Sequence, residues 1–232
     1  MKTIGLIGGM SCESTVPYYR QINEVEKARL GGLHSAKLIL FSVDFHEVEQ
    51  LQYAGDWAGA GELLADAARA LERAGAQGLV LCTNTMHKVA SAIEAAVAIP
   101  LLHIADPTAQ AVISAGHSRV GLLGTRFTME QAFYKDRLRD RHGLQVLVPG
   151  EPDRAQVHRV IYDELCLGKV KHESRLAFRR VVQGLVANGA QAVILGCTEI
   201  SLLIDGSDAS VPLFDSTAIH ARSAAEWALT EP

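Results

Sequence analysis

Two stretches of the sequence carry the groups best suited to moving a proton. GAQGLVLCT (Gly75–Thr83) and GAQAVILGC (Gly189–Cys197) align without a gap, which sets Thr83 opposite Cys197 and Cys82 opposite Gly196. Each has the short apolar run of a buried strand. Polar residues follow at once, Asn84 and Thr85 in the first case, Thr198 and Glu199 in the second. Open α/β sheets bind ligands at the carboxyl ends of their strands, so these polar residues are candidate substrate contacts. A hydroxyl at Thr83 and a thiol at Cys197, aimed at one carbon from opposite sides, suit inversion of that carbon: one face loses a proton and the other receives one. Neighbouring strand residues point to opposite faces, so Thr83 in the site puts Cys82 in the core. Should the register slip by one, Cys82 becomes the second acid/base.

The elements that must position these groups repeat along the chain. IGLIGG (Ile4–Gly9) matches VGLLGT (Val120–Thr125), and IPLLH (Ile99–His103) matches VPLFD (Val211–Asp215), in the same order and at nearly the same separation as the first pair. Short apolar runs alternate with helical stretches, the pattern of a mainly parallel α/β fold. Strands are expected at Thr3–Gly8, Lys37–Val43, Gly78–Thr83, Leu101–Ile104, Arg119–Leu123, Gln145–Val148, Ala192–Cys197 and Pro212–Phe214. The clearest amphipathic helix runs from Trp57 to Ala74 and stops at Gly75. The charged stretch Lys135–Arg141 reads as a solvated face. The expected architecture is two pseudo-symmetric α/β domains, 1–105 and 106–215, with a helix over 216–232 packing back on the first. A cleft between them is the natural place for a small ligand.

Composition narrows the partners. With 232 residues, 48% hydrophobic and 21% charged, the chain has the makings of a real core, and disorder is excluded. A net charge of −4 and a pI near 6.1 offer no field for nucleic acid or anionic lipid, leaving a small metabolite as the expected partner. The longest apolar run, Ala95–Ala105, is broken by Pro100 and His103, so no membrane span is expected. No export signal is visible, which points to the cytoplasm. The four cysteines form no disulfide framework, and neither they nor the nine histidines show metal-ligand spacing, so no metal is assigned. His87, beside the first motif, is either a support or a catalytic group. The glycine-rich start (Gly5, Gly8, Gly9) has Ile7 at the second glycine site of a dinucleotide fingerprint and lacks the P-loop lysine. It is either a tight turn or a place where the amides of Gly9, Met10 and Ser11 meet a carboxylate at a helix N-terminus. Thr125 and Thr128 hold the equivalent turn of the second half and are candidate hydroxyl donors to a second carboxylate.

GLIGGMSCEST near the start, LCTNTMH at Leu81–His87, LLGTRFTME at Leu122–Glu130 and LGCTEISLL at Leu195–Leu203 together resemble the cofactor-independent aspartate/glutamate racemase family over essentially the whole chain. LxSVDFHExE, GGLHSA and IxxELCLG resemble a bacterial branch acting on acidic amino acids or on a broader range. The resemblance implies two pseudo-symmetric domains, an interdomain active site, no cofactor, two catalytic thiols in most members, and frequent homodimers. Departures qualify it. Where many aspartate racemases have Cys-Asn-Thr, Thr83 precedes Asn84 here. The second motif ends Cys-Thr-Glu, as in aspartate-type members, and the lysine often found near the position of Cys166 is missing. The expected function is therefore a racemase independent of pyridoxal phosphate, most simply for aspartate or glutamate, using Cys197 and Thr83. The alternatives are a single-cysteine carbanion enzyme, a decarboxylase or cis-trans isomerase, and a non-catalytic amino-acid-binding protein.

Overall fold

The computed structural model describes residues 1–230. The chain divides into two compact units, Met1–His103 with the segment from His220 onward, and Ile104–Ile219. In the first, β1 (Ile4–Gly8), α1 (Cys12–Leu30), β2 (Leu38–Ser42), α2 (Phe45–Ala54), α3 (Trp57–Arg73), β3 (Gly78–Leu81), α4 (Ala90–Ala96) and β4 (Leu101–Leu102) build a parallel sheet of order β2-β1-β3-β4. The second unit holds α5 (Ala105–Ser114), β5 (Arg119–Gly124), α6 (Arg126–Glu130), α7 (Ala132–Asp136), β6 (Gln145–Leu147), α8 (Glu151–Asp163), α9 (His172–Ala187), β7 (Ala192–Gly196) and β8 (Leu213–Asp215). Its parallel sheet has the matching order β6-β5-β7-β8. α10 (Ser216–Leu229) starts in the second unit and ends in the first. Residues 231 and 232 of the expected C-terminal helix lie outside the described residues.

Parallel strands covered on both faces read as unbroken apolar runs, and β1, β3 and β7 are buried throughout. Alternate residues feed two core layers. On one side of the first sheet, Ile7, Leu79 and Leu81 meet Leu64, Ala67 and Leu71 of α3. On the other, Ile4, Leu6, Val80 and Cys82 meet Tyr18 and Ile22 of α1 and Ala221, Ala224, Ala225 and Ala228 of α10. α3 keeps its charged residues Glu62 and Asp66 outward, is capped by Asp56, which accepts from the Gly59 N–H at 2.8 Å, and is ended by Gly75 at φ +95°.

The repeated GAQ triplet has a structural reason. Gly75 and Gly189 take left-handed turns at φ +95° and +93°, Ala76 and Ala190 are buried, and each glutamine closes the start of a neighbouring strand. Gln77 Oε1 accepts from the Thr3 N–H at 2.9 Å, and Gln191 Oε1 from those of Ser118 and Arg119 at 2.9 and 3.1 Å. The charged stretch 135–141 is solvated only in part. Arg137 forms a two-pronged pair with Asp106 at 2.7 and 2.5 Å, and its side chain is only 18% exposed. A half-buried carboxylate partner explains the difference from the expected solvated face. No helix among the described residues is long and apolar enough to cross a membrane.

Candidate active site

The expected site residues of each unit gather at the carboxyl ends of its two central strands, which are hydrogen-bonded neighbours: β1 and β3 in the first, β5 and β7 in the second. After β3 the Cys82 N–H still reaches Ile7 O at 2.9 Å. The Thr83 N–H then turns back to Leu81 O at 2.8 Å, taking the chain off the sheet two residues before the expected strand would let it go. Thr83, Asn84 and Thr85 are buried at 8%, 2% and 5% exposure. Cys82 is fully buried in the core layer beneath α1 and α10, its thiol 3.9 Å from Val80 O, and burial pushes its pKa far up.

The turn after β1 is shaped by Gly9. At φ +95° a side chain is disfavoured there, and a Cβ would sit 2.2 Å from Val43 O. The Gly9 amide donates to Thr15 Oγ1 at 2.9 Å, and the Thr15 hydroxyl donates to Ser11 O at 2.8 Å. Gly9 thus supplies the shape of the turn, and its own amide is committed to Thr15. Met10 and Ser11 are buried beside it, Ser11 at the N-cap of α1. In the second unit Thr125 caps α6, its Oγ1 3.3 Å from both the amide and the hydroxyl of Thr128. Gly124 and Gly196 let the two strand ends close up, since a Cβ on Gly124 would lie 2.7 Å from Gly196 O.

Cys197 follows β7 directly and is 7% exposed. Its thiol donates to Glu199 Oε2 at 3.0 Å, and the Thr198 hydroxyl donates to the same oxygen at 2.7 Å. The Cys166 thiol, from the turn after α8, approaches the other oxygen, Oε1, at 3.7 Å. One buried carboxylate therefore gathers two thiols and a hydroxyl. Burial first, then the charge of Glu199 and the neighbouring Cys166, raise the Cys197 pKa well above that of an ordinary thiol, so Cys197 rests protonated. Neither the approach of Cys166 nor the spending of the Gly9 amide is readable in the sequence. Cys166 has no counterpart in the repeat, and the contact depends on where α8 ends.

The sequence pattern of the Asp/Glu/hydantoin racemases matches residues 7–224. The chain belongs to that family. It is 24% identical over 225 residues to the broad-specificity amino-acid racemase RacX of Bacillus subtilis, covering 95% of each chain. Among solved structures it is similar to a Yersinia pestis protein provisionally named an Asp/Glu racemase, at 60% identity, 99% coverage of this chain, 100% of the other and a TM-score of 0.92. An aspartate racemase homologue from Pyrococcus horikoshii follows at 36% identity, with 99% and 100% coverage and a TM-score of 0.84. These relatives share the fold of two parallel four-stranded sheets flanked by helices, and family membership supports an isomerase of the racemase type. Among the described residues no group of three or more His, Cys, Asp or Glu side chains is arranged to hold a metal ion.

Proposed function

We propose that the protein is a cofactor-independent racemase of aspartate or glutamate in which Thr83 and Cys197, one from each unit, exchange protons with opposite faces of the substrate α-carbon. The observation that carries the reading is the equivalence of the two positions: each lies just beyond the carboxyl end of the third strand of its sheet, in repeats whose sheets have matching order. The acidic substrate is proposed from the likeness of the motifs to those of aspartate/glutamate racemases, together with a cytoplasmic homodimer and two amino-acid carboxylates held in the site.

An α-hydrogen is a very weak acid, so the charge that develops on the α-carboxylate needs donors fixed in advance. The amides of Met10 and Ser11, together with Asn84, Thr85, Thr125, Thr128 and Thr198, are the groups assigned to the carboxylates. A resting thiol must lose its proton before it can take another. Glu199 Oε2 is the acceptor for it: as the α C–H bond breaks and a new S–H bond forms at Cys197, the original thiol proton passes to Glu199. The Thr83 hydroxyl gives a proton to the opposite face while taking one through a water relay from solvent, and Glu199 releases the thiol proton to solvent, so that neither a free alkoxide nor a free hydroxide forms. In the return direction the same protons retrace these paths.

Incubation with L- and D-aspartate and glutamate in deuterated water, followed by NMR at the α position, tests the reading. Exchange of the α-hydrogen with appearance of the opposite enantiomer is expected, and it should survive chelator and carbonyl reagents. A chain that ignores these substrates is a decarboxylase-like or isomerase-like enzyme. One that binds without exchange is a binding protein.

A further inference from the structure

The peptide joining Thr83 to Asn84 is held from behind by a side chain that has no part in the proton transfer above. His87 Nδ1 lies 2.8 Å from Thr83 O. A carbonyl only accepts, so the proton sits on Nδ1. We propose that His87 is a positioning residue for Thr83: its Nδ1–H fixes the Thr83 carbonyl and thereby the direction of the Thr83 side chain. This rests on the reading of Thr83 as a proton-transfer group.

The need for such a brace follows from the sheet. The β3–β4 ladder ends at the pair Val80 and Leu102, so the carbonyl of Thr83 lies beyond its regular bonds. A buried carbonyl left without a donor is destabilising. Imidazoles stand at both strand ends: beside His87 on Thr83 O, His220 Nε2 donates to Leu102 O at 2.8 Å, leaving its Nδ1 to accept from the Tyr18 hydroxyl at 2.9 Å. The two braces touch. The His87 ring packs on His103 at 4.4 Å between centroids and meets the His220 ring edge-on at 6.0 Å. All three histidines and Tyr18 are buried, at 7% exposure or less. Such a group has little freedom to let the carbonyl swing. The 83–84 peptide is trans, the one cis bond among the described residues being Met10–Ser11. The Asn84 N–H therefore points away from His87, and one imidazole sets the directions of a hydroxyl-bearing residue and of the amide that follows it.

The repeat argues that the brace serves the site and not the fold alone. Where the fold makes a demand, as at Gln77 and Gln191, the two units answer alike. Opposite His87 in the gap-free overlay stands Ser201, whose hydroxyl reaches a different carbonyl, Thr198 O, at 3.3 Å. The imidazole brace therefore appears on the side that carries Thr83 and is replaced on the side that carries Cys197.

Three substitutions test this. His87→Asn keeps a donor at the same distance along the side chain, His87→Gln moves it one bond further out, and His87→Leu removes it. Racemisation by His87→Asn is expected within about threefold of wild type, whereas His87→Gln and His87→Leu should lose roughly tenfold or more in kcat at nearly constant KM. Because His87 acts through Thr83, adding His87→Leu to Thr83→Ala should slow the enzyme no further. Equal losses in His87→Asn and His87→Gln, or a full additional loss in the double variant, would overturn the inference while leaving the role of Thr83 standing. Wild-type turnover in Thr83→Ala alone would overturn both.

Discussion

Cys197 and Cys82 are both buried thiols with raised pKa values, and they differ in what surrounds them: a carboxylate and a hydroxyl for the first, aliphatic side chains for the second. Cys197→Ser should therefore lower racemisation by about two orders of magnitude or more with the fold intact, since a hydroxyl is a far weaker base than a thiol. Cys82→Ala should keep turnover and lose about 1 kcal/mol to the small cavity it leaves. Parallel kinetics and thermal melts of the two variants check both statements, and inactive Cys82→Ala would restore Cys82 as the second acid/base. Glu199 allows a test with a definite sign. Its negative charge raises the Cys197 pKa, so Glu199→Gln should lower it, increase the thiolate fraction near pH 8 and speed alkylation of Cys197 by iodoacetamide, read by mass spectrometry. Turnover should fall at the same time, because the acceptor for the thiol proton is gone. Unchanged alkylation would mean that burial alone sets this thiol. At this scale the sequence pointed to Thr83, Cys197 and Glu199 through the repeat, but it could not show which donors converge on Glu199, since Cys166 is brought there by the turn after α8 and not by any local spacing.

At the scale of elements the apolar runs located every strand, with ends moved by one or two residues for identifiable reasons. β3 stops at Leu81 because the Thr83 amide turns back on its own strand. β8 is observed at Leu213–Asp215 instead of Pro212–Phe214, in keeping with the missing N–H of proline. The GAQ triplets were visible as a repeat, yet the work of their glutamines was not, because the strand starts they close lie more than seventy residues away in sequence. That symmetry gives a paired prediction. Gln77→Ala and Gln191→Ala should each destabilise by about 1 kcal/mol, the usual net worth of a hydrogen bond, and the double variant by about the sum. Chemical denaturation of the three variants would show it, and a loss at only one of the two positions would contradict the structural equivalence. Gly78 is a sharper case of one element limiting another: a Cβ there would lie 2.3 Å from the Trp227 ring of α10, so only glycine lets the helix lie that close to β3.

For the whole molecule, the two raised thiols predict how stability changes with pH. A folded-state pKa above that of the unfolded chain means that the native state holds its proton longer. The contribution to stability is complete below about pH 8.5 and is lost as pH rises above it, at up to about 1.4 kcal/mol per pH unit for each thiol. Urea midpoints should be steady between about pH 7 and 8 and drop by about pH 10, with a shallower drop in Cys82→Val. An unchanged slope in that variant would show that other groups govern the alkaline limb.

The path of the chain has a consequence for how the gene could be rearranged. The first unit is discontinuous, Met1–His103 being completed by the segment from His220, so the chain passes between units twice. Segments near the first and last described residues lie side by side: the Lys2 N–H donates to Ala228 O at 2.8 Å and Lys2 Nζ to Thr230 Oγ1 at 2.6 Å. A few glycines could join them, and a new start at Ile104 would then place the second unit first, α10 in the middle and the rest of the first unit last, with a single crossing. Such a circular permutant should fold and racemise as the parent does. It also makes available what the natural order forbids, expression of the first unit as one uninterrupted polypeptide, with α10 fused ahead of β1 to cover the apolar layer of Ile4, Leu6 and Val80.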